Sequence, residues 1–548
     1  MTMRAARSGP LLLLALAGTV QALCFAPGPL PAWLLSPLQI VTLAILVRSV
    51  WLAPSAREAG LRAWIFSMAS FSVGLYWLTI SMHLYGYMPL PLAIAALLAL
   101  SAYLALFGGF AGWIAVRATG WGIGKMPGSM PCAPLMASLL WAAGWTLTEW
   151  LRATLLTGFP WLGTGYAHTD SWFAGWGAVT GVYGVTFAAA FTAAALACGL
   201  SMMPSTHRAA LTRATNRSRA VRVMAVALGL LVIGGLLGRV PWSMPRGEPT
   251  AVRLVQGNID QGSKFAPDQW LKAIRAQYAL AAQPPATGKP EPAIVVLPET
   301  AIALFQHQVD PAIWQAWQSL ARRQGSTIVM GAPLIDRADN RYTNSVIAID
   351  SNTSLDALIA GRPTPRYDKH HLVPFGEFVP FGFRWFVDLM TIPLGDFGRG
   401  AASQTPFSIR DQSIAPNICY EDIFGEELLA GLRGEGPNQS GASILVNVSN
   451  LGWFGDSWAL RQHWQMARMR AIETSRPVLR ATNTGMTGAI SPAGESLGQL
   501  PALTPGVIDI TVQGQTGLTP YARLGNWPVL LLSAALLAWA WLRARRKQ

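Results

Sequence analysis

The residues able to do chemistry in this chain centre on one cysteine. Cys419 follows the apolar run 414–418, a glutamate stands in Pro298-Glu299 after a second apolar run, and a lysine closes Tyr367-Asp368-Lys369. A thiol beside an acid and an amine suits nucleophilic acyl chemistry. A free thiol has a pKa of about 8.5 and is mostly protonated at neutral pH, so a partner must remove its proton during attack. Glu299 can accept that proton, and Lys369 can keep the carboxylate charged while donating hydrogen bonds to a developing oxyanion. Plainer readings exist for each. A lone cysteine is often a small buried hydrophobe, and Glu299 with Lys369 could form a structural ion pair.

These residues lie in the one long stretch that is not membrane-like. The 548 residues are 52% hydrophobic and 12% charged, with a mean hydropathy of +0.33. Soluble domains carry charge on about a quarter of their residues, so the composition excludes a soluble globule and indicates a polytopic membrane protein. The formal net charge is +14. Its basic residues cluster between apolar runs, which points to a membrane surface and to no nucleic-acid partner.

Apolar runs of spanning length fall near residues 9–26, 32–51, 63–82, 90–116, 135–155, 172–202 and 223–240, with a last one near 526–542. About eight transmembrane helices are therefore expected. Seven belong to a membrane domain over 1–245; a polar block follows over 246–523, and 524–548 supplies the last helix and a basic tail. The first run resembles a signal peptide, but the bulky Leu23 precedes Cys24 and further runs follow, so it reads as a helix.

Arg4 and Arg7 precede the first run, Arg48, Arg57 and Arg62 flank the second loop, and Arg117 and Lys125 follow the fourth run. Arg208, Arg213, Arg217, Arg219 and Arg222 make the next basic group, whereas loops 27–31 and 83–89 hold no lysine or arginine. The positive-inside bias puts every second loop and both termini in the cytoplasm, with Arg543, Arg545, Arg546 and Lys547 as the final anchor. By parity the polar block lies outside. Cys24, Cys132 and Cys198 belong to the membrane half, so Cys419 has no disulfide partner in the block.

The block alternates strand-like and helix-like segments. Strands are expected at 252–256, 293–297, 327–331, 345–349, 414–418, 443–448 and 478–481. A helix is signalled by the cap Asp310 and first-turn Pro311, running through Trp314, Trp317 and Leu320 to Gly325. This is an α/β pattern, and Glu299 and Cys419 both fall just past a strand, where such folds place chemistry.

At these residues the chain resembles the nitrilase superfamily, and its wider pattern resembles the membrane-embedded apolipoprotein N-acyltransferase branch. The matching stretches are Leu254-Val255-Gln256-Gly257-Asn258, Leu297-Pro298-Glu299-Thr300, Tyr367 through Glu377, Ile418-Cys419-Tyr420-Glu421, Asn447-Val448-Ser449-Asn450 and Gln465 through Ala471. The resemblance implies a nitrilase-like α-β-β-α sandwich in which Cys419 is the nucleophile, Glu299 the general base and Lys369 the stabiliser of the oxyanion. It implies Glu377 and Glu421 as supporting acids and Tyr420 as the neighbour of the nucleophile. Phe265 stands where a tryptophan is usual and Leu451 where an aspartate often follows Asn450.

The implied function is transfer of a fatty acyl chain from a phospholipid to the N-terminal amine of a diacylglyceryl-cysteine apolipoprotein, through a Cys thioester, with the block on the periplasmic side of a bacterial inner membrane. A thioester retains the reactivity of the donor ester, so no cofactor is needed. A membrane-tethered nitrilase-type amidase would share the triad without needing so many spans, and a transporter or scaffold would need the spans without the triad. His370-His371 could form a Cys-His dyad or bind metal, but no metal-ligand spacing accompanies them and no metal is expected. His463 reads as helix packing. Trp453-Phe454-Gly455 is either core or, with Phe265, part of a lipid-binding mouth. Glu149 and Arg152 either pair or face the site.

Overall fold

The computed structural model describes residues 2–25, 30–123, 131, 133–201, 210–262, 264, 266, 269–336, 341–387, 397–434 and 441–546. Its contacts divide the chain into two compact units: residues 1–76, 91–240 and 524–548 form one, and 77–90 with 241–523 form the other.

The first unit is helical. Among the described residues, five helices are long and apolar enough to cross a membrane: Ala32–Trp51, Leu90–Gly120, Trp172–Leu200, Ser218–Leu237 and Trp527–Arg545. They become six if Ala56–Gly74 and Leu78–Tyr85, bent at the break between them, count as one span. The expected run 63–82 is thus not one straight helix, because the helix stops at Gly74. The first helix, Thr2–Leu23, contributes a shorter apolar stretch, Pro10–Leu23, and Pro134–Thr154 is not among the five. Arg213 through Arg222, expected in a loop, lie within the helix Ala210–Leu237. Small residues let helices approach closely: a Cβ on Gly112 would stand 2.7 Å from the carbonyl oxygen of Ala59, and one on Gly108 would overlap Ser67.

The second unit is built on two six-stranded sheets. Beside a two-stranded pairing of Met244–Pro245 with Gln515–Thr516, the strands of these two sheets are β1 (Thr250–Gln256), β2 (Ile294–Val296), β3 (Thr327–Asp336), β4 (Arg341–Ile349), β5 (Arg366–Asp368) and β6 (Phe407–Ile409). They continue as β7 (Gln412–Ile418), β8 (Ile444–Ser449), β9 (Val478–Thr482), β10 (Gly488–Ile490), β11 (Ser496–Gln499) and β12 (Gly506–Val512). One sheet has the order β12-β1-β2-β3-β4-β5 and the other β11-β10-β9-β8-β7-β6. The centre of each is parallel, β1-β2-β3 and β7-β8-β9, and the flanking strands are antiparallel. All seven expected strands are present; β5, β6, β10, β11 and β12 were not foreseen.

The alternation of side chains along each strand makes the layers. Val252, Leu254 and Val296 of the first sheet meet Ile414, Ile418, Val446, Val448 and Leu479 of the second in one buried core. The opposite face of the first sheet, including Val255, Val295 and Ile328, packs on Ile274, Trp314, Trp317 and Leu320 of the helices Trp270–Ala281 and Pro311–Gln324. Leu445, Val478 and Ile490 of the second sheet pack on Trp464, Ala467 and Ala471 of the helix Trp458–Thr474. The result is the α-β-β-α sandwich, its central strands buried on both faces as their apolar runs require. Each fully buried aliphatic side chain contributes about 1.5–3 kcal/mol, which is what holds the strand ends, and the residues just past them, in place.

The helix signalled by Asp310-Pro311 forms as its caps dictate. Asp310 accepts from the main-chain N–H of Ala312 at 2.8 Å, and Gly325 ends the helix in the left-handed region, φ 63°.

Candidate active site

Three segments that leave different strands converge. Glu299 lies three residues past β2, Lys369 directly after β5, and Cys419 directly after β7. The first two belong to one sheet and the third to the other. Lys369 is fixed by its own main chain, whose N–H donates to the carbonyl of Asn344 in β4 at 2.8 Å. Cys419 sits at φ 52°, a left-handed backbone that a non-glycine residue adopts only where surrounding structure enforces it.

The enforcement comes from Glu421. This buried carboxylate accepts from the main-chain N–H groups of Ile418 (2.7 Å), His370 (2.7 Å) and His371 (3.0 Å) and from the hydroxyl of Tyr367 (2.9 Å). It ties the turn carrying Cys419 to the segment carrying Lys369. Burial pushes its carboxyl up, opposed by Lys369 and those N–H donors.

The Lys369 ammonium is 1% exposed. It stands 2.9 Å from Glu377 Oε1 and 3.5 Å from Glu299 Oε1. Burial alone would discharge it, but the carboxylates of Glu377 and Glu299 outweigh burial and raise its pKa, so it stays a cation. The Asn344 amide bridges the same two carboxylates, donating to Glu299 Oε1 at 2.7 Å and to Glu377 Oε1 at 2.9 Å. Glu377 Oε2 accepts from the N–H of Val373 at 2.8 Å.

The second oxygen of Glu299 accepts from the N–H of Asn450 at 2.9 Å, and the same main-chain group favours the ionised form of Cys419. Burial raises the thiol pKa, Glu299 raises it further, and Lys369 with the Asn450 N–H opposes them. The net shift is upward, so the thiol is protonated at neutral pH and needs a base at hand. The half-buried thiol, a carboxylate and a buried ammonium form one cluster. Such a cluster can attack an acyl carbonyl, accept the thiol proton and hold an oxyanion.

Glu299 reaches this position because β3 lets it. Gly331 lies against it, and a Cβ there would stand 2.6 Å from Glu299 Cα and 2.8 Å from the nitrogen of Thr300. Gly331→Ala should therefore displace the carboxylate by several tenths of an ångström and slow acylation of Cys419 by about 10–100-fold without unfolding the protein. A burst assay on purified variant checks this, and a wild-type burst rate would contradict it.

The remaining sequence candidates divide. Tyr420 is buried, its ring 5.1 Å from Phe424 and 5.7 Å from His371. The adjacent histidines are engaged elsewhere through Nδ1: that of His370 pairs with the carbonyl of Gly400 at 2.9 Å, and that of His371 with Glu427 at 2.8 Å. His463 is buried in the core beside Asp422, 2.6 Å away, and Arg480. Trp453 packs edge-on against Tyr85 at 5.6 Å and Phe454 against Trp77 at 4.5 Å, both aromatics of segment 77–90. Phe265 and Cys132 lie outside the described residues. Glu149 and Arg152 each have their own partners: Glu149 accepts from Thr164 and Thr186, and Arg152 donates to the carbonyls of Phe159 and Trp161. Among the described residues, no group of three His, Cys, Asp or Glu side chains is placed to hold a metal ion.

Asn344, Asn450 and Lys264 were not foreseen as site residues. Asn450 carried a signal, a polar residue immediately after the apolar strand β8; Asn344 lies inside β4 and carried none.

Residues 251–521 match the carbon-nitrogen hydrolase family, and residues 17–195 match the apolipoprotein N-acyltransferase N-terminal domain. The chain is 50% identical over 545 residues to an apolipoprotein N-acyltransferase of Bordetella bronchiseptica, covering 97% of both chains. It is 41% identical to one of Ralstonia nicotianae, covering 97% of this chain and 93% of that one. Among solved structures it is similar to an amidase from Nesterenkonia sp., with 17% identity and a TM-score of 0.36 over 51% of this chain and 94% of that one.

Proposed function

Since the chain belongs to the apolipoprotein N-acyltransferase family, a family of acyltransferases, we propose that it moves a fatty acyl chain from a phospholipid to the N-terminal amine of diacylglyceryl-cysteine apolipoproteins, as the last step of their maturation. The observation that supports this most is the Cys419 thiol held with Glu299 and the buried Lys369 ammonium in a chain rich in helices of membrane-crossing length. In this reading the eight apolar runs are spans of a bacterial inner membrane. Residues 246–523 form the catalytic domain on the periplasmic side, and 1–245 with 524–548 form the membrane part.

The reaction has two halves. Glu299 takes the thiol proton as Cys419 Sγ attacks the ester carbonyl, and Lys369 Nζ stabilises the negative charge on the carbonyl oxygen. The C–S bond forms, the ester C–O bond breaks, and the lysophospholipid alkoxide leaves with the proton from Glu299. A lipoprotein amine then attacks the thioester and gives its proton to Glu299; the C–N bond forms, the C–S bond breaks and the thiolate is reprotonated. An α-amine with a pKa of about 7.7–8.0 is already partly neutral, so it needs little activation. Glu377, Glu421 and Tyr420 hold the cation and the nucleophile in place. Trp453 and Phe454 contact the acyl chains.

The test is mass spectrometry of a diacylglyceryl lipopeptide incubated with purified protein and phospholipid vesicles. One acyl chain added to its amine supports the reading. Release of free fatty acid with the lipopeptide unchanged would favour a membrane-tethered amidase or hydrolase instead.

A further inference from the structure

A second buried lysine lies behind the base. Lys264 is 2% exposed. It sits on the loop that leaves β1, where its main-chain N–H donates to the carbonyl of Asp260 at 3.0 Å. Its Nζ donates to Thr300 Oγ1 at 2.9 Å and to the main-chain carbonyl of Glu299 at 3.3 Å. Both acceptors are uncharged, an unusual end for a buried ammonium, and the charge it feels is the Glu299 carboxylate.

The charges of the site explain why it is there. Glu299 and Glu377 share one Asn344 amide and one ammonium, that of Lys369. Two carboxylates against one cation leave a net charge of −1, and like charges held together favour protonation of one of them. A protonated Glu299 cannot take the thiol proton. A second cation restores the balance, and the loop carrying it also supports the site by another route: Gln261 accepts from the Asn450 side chain at 2.8 Å.

We propose that Lys264 is a positioning residue for acylation, whose buried ammonium supplies the second positive charge that keeps Glu299 anionic beside Glu377 while its hydrogen bonds hold the Glu299-Thr300 turn. Thr300 has φ 48°, so that turn needs such a tie. Burial lowers the Lys264 pKa to about 8, with Glu299 opposing the fall, which leaves the ammonium mostly charged at neutral pH. The charged or titratable groups around the pair are Glu299, Glu377, Lys369 and Cys419, with Glu421 on the far side of Lys369 and Asp260 on the loop of Lys264 itself.

This inference rests on the reading of Glu299 as the base, and its test does not require the natural donor. Full-length protein in detergent is treated with para-nitrophenyl acetate, and the nitrophenolate burst that depends on Cys419 is followed from pH 5.5 to 9. Lys264→Met and Lys264→Gln should both move the acid limb of the burst rate up by about one pH unit. They should therefore be about tenfold slower at the acid end and within about threefold of wild type at pH 9. Gln keeps donors but no charge, so a wild-type acid limb in Lys264→Gln overturns the proposal. An equal slowing at every pH in either variant also overturns it, since that is what a purely structural lysine would give. Failure of the wild type to take an acyl chain from phospholipid vesicles would count against the donor assigned above, and leaves the burst comparison intact.

Discussion

Cys419→Ala is expected to lose all acyl-enzyme formation and to lower turnover by about four orders of magnitude or more, while the protein remains folded. The half-buried Cys419 occupies a left-handed turn held by Glu421, and alanine, which differs only by the sulfur, fits the same turn. Cys24 and Cys198 are buried within the helical unit, so Cys24→Ala and Cys198→Ala should leave turnover nearly unchanged. Intact-protein mass spectrometry and a lipopeptide assay on the three variants check this. Retained turnover in Cys419→Ala would remove the covalent mechanism.

The second large effect separates the acid and the cation from the histidines. Glu299→Gln should slow acylation by about 10²–10⁴-fold, because the amide keeps the size of the side chain and one accepting oxygen but cannot take a proton. Lys369→Met should slow it by about 10²–10³-fold by removing the oxyanion donor, and it also leaves Glu299 and Glu377 facing each other without their shared cation. His370→Ala and His371→Ala should keep most activity, since the Nδ1 atoms of the two rings are engaged by Gly400 and Glu427. Loss of thioester formation in a folded histidine variant, with Glu299→Gln still active, would reassign the base.

Much of this site is legible in the sequence because its chemistry sits at strand ends. Glu299 follows a continuous apolar run and Cys419 a mostly apolar one, and such runs suit strands buried on both faces or short helices; length and β-branching decide for strands. Lys369 is legible through its motif rather than through any periodicity, since β5 is only three residues long. The amides are a different case. Asn450 sits visibly at a strand end, but its N–H is aimed across the sandwich, whereas Asn344 acts through its amide within its own sheet, and nothing about either asparagine announces which residue it will meet. Lys264 is hidden for the same reason: a lysine in a loop reads as solvated, and only the packed structure shows its head group buried.

The fold has similar limits. β10 and β11 are short and contain glycine, and β6 spans three residues, so none carries a resolvable alternation. β12 does alternate, but Asp509 breaks its apolar pattern, and the reason is tertiary: it pairs with the fully buried Arg253 across the β12-β1 ladder at 2.8 Å. In the helical part, apolar composition sets a length but not continuity. The run 63–82 reads as one span, yet its helix ends at Gly74 and Trp77 turns into the second unit, where its indole donates to Gln462 at 3.0 Å and packs on Phe454.

The central claim, that the acyl chain passes through Cys419, is tested most directly by a two-stage intact-mass experiment. Wild-type protein is incubated with phospholipid vesicles alone, freed of donor, and then given a diacylglyceryl lipopeptide. The mechanism predicts one added acyl mass on the peptide containing Cys419, sensitive to hydroxylamine, which disappears as the same mass arrives on the lipopeptide amine. An enzyme that acylates the lipopeptide when both substrates are present, yet never carries an acyl group on Cys419, would contradict it.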